Sequence, residues 1–169
     1  MLNREDLRKI VAFVDGYGLM IRIFDIALGN FEFHKSGERI FLTPDRTEEI
    51  RNQLWDYLDE HVYDRWEPEL LDFLMKLTIV DEFNLELARQ ITGNQEAERM
   101  IAKALDQGTG IQRRVKEYSR ERELMQVDYG IRLPVRRSLF RKMQKTYGAE
   151  KIRELYRSAG AYYEHTDQI

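Results

Sequence analysis

The residues best suited to chemistry in this sequence are cationic. Between Gln112 and Thr146 stand 11 Lys/Arg and four Asp/Glu, a local balance of +7 in a chain of 169 residues whose formal net charge is −3. Arg113, Arg114, Lys116, Arg136 and Arg137 in that stretch are candidates for holding DNA phosphates, because clustered cations release the duplex counterions. The same stretch can also be read as a solvated hairpin, neutralised in part by Glu117, Glu121 and Glu123. Other chemistries are poorly supplied. His34, His61 and His165 are far apart and match no metal spacing, so they read as surface or capping residues. Asp56, Asp59, Glu60 and Asp64 fall at helical spacing beside Arg65, most simply a solvated face. No Gly-x-x-x-x-Gly-Lys-Ser/Thr run occurs, and Gly16-x-Gly18 lacks both a third glycine and a preceding strand, so no phosphate cradle is visible. Without cysteine there is no disulfide framework, thiol nucleophile or thiolate metal site. The sequence leads us to expect neither an enzyme acting alone nor a metal centre.

The elements that carry these residues follow from apolar periodicity. Leu7, Ile10, Val11 and Val14 predict a helix capped by Asn3, broken at Asp15-Gly16-Tyr17-Gly18. A second helix is predicted over 19–28. The stretch from Gly29 to Leu42 fits either a short helix or an irregular loop. Thr43-Pro44 starts the next helix, with Ile50, Leu54, Leu58 and Val62 on its apolar side, until Trp66-Glu67-Pro68 breaks it. Pro68 then opens a helix bearing Leu70, Leu71, Phe73, Leu74 and Leu77. Asn84 and Asn94 read as caps of two short helices. Past Gly108 and Gly110, residues 111–118 and 125–133 are rich in β-branched and aromatic types and predict a two-stranded hairpin. Pro134 ends it. A helix with Val135, Leu139, Phe140 and Met143 follows, closed by Tyr147-Gly148, and the last helix sets Ile152, Leu155, Tyr156, Ala159 and Tyr163 on one stripe.

This order predicts a mainly α (α+β) chain: a helical subdomain over 1–65, a winged-helix domain over 66–146, and a terminal helix over 147–169. The helix that usually enters the major groove, 94–106, carries Glu96, Glu98 and Asp106 against Arg99 and Lys103. Its net charge of −1 is poorly suited to phosphates. The terminal helix, with Tyr156, Tyr162 and Tyr163, fits core packing, a domain joint or self-association. No apolar run approaches the roughly 20 residues needed to span a bilayer, and the acid-bearing start MLNREDLRKI lacks a signal-peptide core. A cytoplasmic protein is the expectation.

The run Trp66-Glu67-Pro68-Glu69-Leu70-Leu71-Asp72-Phe73-Leu74, then Thr78-Ile79-Val80-Asp81-Glu82-Phe83 and Ile91-Thr92-Gly93, resembles the middle of MalT-like transcriptional regulators of the LuxR type, signal-transduction ATPases of the STAND class. Further resemblance lies in Ile131-Arg132-Leu133-Pro134, in Leu139-Phe140-Arg141 and in 150–164. The resemblance implies that 1–65 is the helical part of a nucleotide-binding core and 66–146 its winged-helix lid. By the same resemblance, such a lid would pack on ADP at rest and swing away when ATP and inducer drive self-assembly. The terminal helix would begin a helical-repeat region. It also implies a phosphate-binding domain upstream and a DNA-binding helix-turn-helix downstream, making this chain a fragment without ATPase activity of its own. Two departures stand out: Gly18 replaces the proline that approaches adenine in the family, and no histidine precedes the helix at Leu133-Pro134-Val135. Arg132 is the one residue the resemblance offers for a phosphate-side contact of ATP or ADP.

Overall fold

The computed structural model describes Arg4, Arg8, Val11 and Gly18, residues 44–115 and residues 127–166. The chain divides into two compact units, Met1–Trp66 and Glu67–Ile169. In the first, Arg4, Arg8, Val11 and Gly18 are helical. Gly18 was expected in a helix break and is itself helical, since glycine disfavours a helix by only about 1 kcal/mol. Val11, expected on an apolar face, is exposed, as isolated surface apolar residues often are. The remainder of the two predicted N-terminal helices, the stretch to Leu42 and the Thr43 cap lie outside the described residues. Helix α1 spans Pro44–His61 and buries Leu54 and Leu58, as its stripe requires. A 3-10 turn, Tyr63–Arg65, follows, with Tyr63 packed on Trp66.

The second unit contains helices α2 (Pro68–Leu77), α3 (Leu85–Thr92) and α4 (Ala97–Asp106), strands β1 (Ile111–Val115) and β2 (Val127–Ile131), and helices α5 (Leu133–Thr146) and α6 (Ala149–Thr166). Together α2 to α5 make the winged-helix arrangement. Pro68 and Pro134 sit in the first turns of α2 and α5, where a missing N–H costs nothing. The Asn84 side chain accepts from the Leu87 N–H at 2.8 Å, and Gly93, at φ 71°, ends α3 in the left-handed region. Asn94 does not cap α4. Its side chain accepts from the Glu96 N–H at 2.8 Å, closing an Asx turn that delays the helix to Ala97.

The hairpin is antiparallel, with Ile111 opposite Ile131 and Val115 opposite Val127. Sequence periodicity missed a third partner: Phe83 bridges Tyr129 on the free edge of β2, through N–H···O bonds of 2.9 and 2.7 Å. The core is Phe73, Leu74 and Leu77 from α2, Leu87 and Ile91 from α3, Met100 and Ile101 from α4, Ile131, and Val135, Leu139 and Met143 from α5. Helix α6 packs against α3, and the predicted stripe on it needs correction. Leu155, Ala159 and Tyr162 are buried, whereas Tyr156 and Tyr163 are exposed, because positions i, i+4 and i+7 share one face. Among the described residues no helix is long and apolar enough to cross a membrane.

One glycine is dictated by its surroundings twice over. Gly110 has φ 91°, and a Cβ there would lie 2.9 Å from Val135 Cγ2. Gly110→Ala is therefore expected to destabilise the unit by about 1–3 kcal/mol, read as a lower urea midpoint, and a change within ~0.5 kcal/mol, the range of neutral surface substitutions, would refute the strain.

Candidate functional site

Two of the predicted basic residues, Arg114 and Arg136, meet one short loop, Asp81-Glu82-Phe83-Asn84. Arg136 stands in the first turn of α5, where its Nε donates to the Thr78 carbonyl at 2.8 Å and its Nη1 pairs with Asp81. Burial lowers the Arg136 pKa from its ordinary value; Tyr156 acts in the opposite sense and Arg137 in the same. Arg114 on β1 pairs with Glu82 at 2.7 Å, its side chain lying over Gly130. A Cβ at 130 would come within 2.9 Å of Arg114 Nε and 3.2 Å of the Asp81 carbonyl. Two of the five DNA-contact candidates are thus bound to acids of their own unit. Arg113 and Arg137 are exposed, and Lys116 lies outside the described residues.

Arg132 is half-buried at the N-cap of α5. Its N–H donates to the Gly110 carbonyl at 2.9 Å and its carbonyl accepts from the Arg136 N–H at 2.9 Å. Both backbone bonds join the end of the hairpin to α5.

Helix α4, at the position of the reading helix in a DNA-binding winged helix, has each of its two cations paired with an acid. Arg99 pairs with Glu96 and Lys103 with Glu67, while Glu98 and Asp106 remain exposed. Its buried face, Ala97, Met100, Ile101 and Ala104, is spent on the core. A groove of about 390 Å³ runs between α2 and the α3–α4 turn, lined by Glu69, Asp72, Lys76, Asn94 and Gln95 among others. Its polar groups are engaged with one another: Asn94 donates to Glu69 at 3.3 Å, Lys76 pairs with Asp72 at 2.6 Å, and the Tyr147 hydroxyl donates to Asp72. Of the remaining chemistry-bearing types, His61 packs edge-on against Tyr57, and Asp56, Glu60, Asp64 and His165 are exposed. No group of three or more His, Asp or Glu among the described residues could hold a metal.

The charged and polar side chains around this loop and groove are engaged in ties within the unit. In the sequence Asp81, Glu82 and Phe83 stand out only through the resemblance, and Tyr162 only as one of the tyrosines of the terminal helix. Their pairing across roughly 30 to 80 positions leaves no local pattern, although the adjacent acids Asp81-Glu82 ahead of an arginine-rich hairpin were a usable signal.

Residues 58–122 match the family described as the MalT winged helix domain. A stretch of 48 residues is 44% identical to the HTH-type transcriptional regulator MalT of Vibrio campbellii (strain ATCC BAA-1116), covering 28% of this chain and 5% of that protein. The chain thus carries a MalT-like winged-helix segment and matches only a small part of the length of that relative.

The Tyr147–Asp72 bond has a pH signature. Burial first, then the hydrogen bond to Asp72 and its charge, push the Tyr147 pKa well above its ordinary value of 10.0. The unfolded chain therefore releases this proton first, and the stabilisation, fully present below about pH 10, is lost as the pH rises from there through the folded value. In urea titrations from pH 8 to pH 11 the difference in stability between the wild type and Tyr147→Phe is expected to shrink with rising pH; a constant difference would contradict the assignment.

Proposed function

We propose that the chain is a non-catalytic regulatory segment of a MalT-like LuxR-type transcriptional regulator, in which the winged helix is the lid of an ATP-dependent switch. Residues 1–65 would be the helical part of the nucleotide-binding core, 66–146 the lid, and 147–169 the start of a helical-repeat region. The segment acts by packing and by shifting a two-state population, and the nucleotide-binding and DNA-binding chemistry belongs to other parts of the parent, in the cytoplasm. The match of residues 58–122 to the MalT winged helix domain supports this reading. The observation that carries the mode of action is the surface of α4, whose Arg99 and Lys103 are both held by acids. A helix without a positive face gains little from duplex phosphates, so a winged helix built this way serves protein packing. ATP or ADP is the cofactor of the parent, and Arg132 the candidate for a contact on the phosphate side.

A second reading, a free-standing winged helix that grips DNA by its hairpin, draws on the exposed Arg113 and Arg137. One pair of variants separates the two. In the full-length regulator, Arg113→Glu and Arg137→Glu reverse charge at the lid surface and are expected to raise inducer-free transcription by about fivefold or more, the lower end of ordinary coupling between sites. Unchanged transcription across both variants removes the lid reading. Duplex binding by the 169-residue chain that falls steeply with salt, and is lost in the same variants, installs the second reading in its place.

A further inference from the structure

Four successive residues each tie a different element. Asp81 pairs with Arg136 of α5, and Glu82 with Arg114 of β1. Phe83 exchanges both backbone bonds with Tyr129 of β2. Asn84 accepts from the Leu87 N–H of α3 through Oδ1 and donates from Nδ2 to the Tyr162 hydroxyl of α6 at 2.6 Å. We propose that Asp81–Asn84 is a conformational relay, through which the seating of α6 on α3 sets the order of the hairpin.

The argument rests on the two ends of the Asn84 side chain. An amide can cap a helix through its oxygen in several rotations about its last torsion, which is broad. The hydrogen bond from Nδ2 to a buried tyrosine selects one of them. Tyr162 is held in turn by the stripe that α6 lays on α3, with Leu155 and Ala159 buried beside it. The Gln90 side chain grips the Ser158 carbonyl at 2.9 Å further along the same face. Lifting α6 removes the Nδ2 partner and loosens the cap. The residue before Asn84 is Phe83, whose N–H and carbonyl are the entire third strand of the sheet. A freed cap therefore acts on a strand of one residue, the least cooperative piece of sheet possible. The two ion pairs upstream do not substitute for it, because the Asp81 side chain is 82% exposed and the Glu82–Arg114 pair is more than one-third exposed on both sides, where such pairs contribute little. The inference concerns the fold alone and stands whether or not the lid reading holds.

Amide hydrogen exchange on the 169-residue chain tests the relay. Tyr162→Phe deletes only the hydroxyl, and Asn84→Ser keeps a good cap while losing the reach to Tyr162. In both variants the Phe83 and Tyr129 amides are expected to exchange about fivefold faster, the loss of one ordinary hydrogen bond. Amides in the last turns of α4, Met100 to Ala104, should keep their wild-type rates. Acceleration of α4 to the same degree would mark general destabilisation and overturn the relay. Unchanged Phe83 and Tyr129 amides would overturn it as well, whether or not α3 and α6 loosen.

Discussion

The second unit depends on a loop too short to have structure of its own. Between α2 and α3 the chain has only a few residues in which to turn, and in that space it meets a helix start, both strands of the hairpin and the terminal helix. Backbone groups at such a crossing must find partners or be left desolvated. Phe83 satisfies its own on Tyr129, and Arg136 satisfies the Thr78 carbonyl that α2 leaves open at its end. The hairpin, which as an isolated two-stranded ribbon would be marginal, acquires a third contact and a floor.

Much of this was legible in the sequence. The starts of α1 and α2 were written in prolines, the start of α3 in Asn84 and its end in Gly93, and the hairpin in a change of residue type at Ile111. These signals are local, so one window of sequence contains both cause and effect. The failures were of two kinds. Asn94 has the right residue type for a cap, but its side chain closed a turn two residues earlier than a cap would, since Asn serves both geometries. On α6 five residues were grouped by polarity, and helical phase then chose Tyr162 over Tyr156 and Tyr163.

Charge was the least legible quantity. A balance of +7 over 112–146 looked like a footprint for phosphates, but a count of charges carries no information on where the acids of distant segments fall. Asp81 and Glu82 belong to a stretch counted elsewhere, and they offset the charge of Arg136 and Arg114. The same holds for Lys103, answered by Glu67. Along α4, where a DNA-reading winged helix would present cations to the groove, both cations face acids of their own unit.

The composition of α5 has a consequence for how the unit assembles. Its first turn contains no acidic residue and ends in Arg136, followed at once by Arg137, at the end of a helix where the peptide dipoles already place positive charge. Such a helix is a poor independent nucleus. What holds it is its apolar face, with Val135, Leu139 and Met143 in the core, so α5 gains its stability from packing on elements distant in sequence rather than from its own first turn.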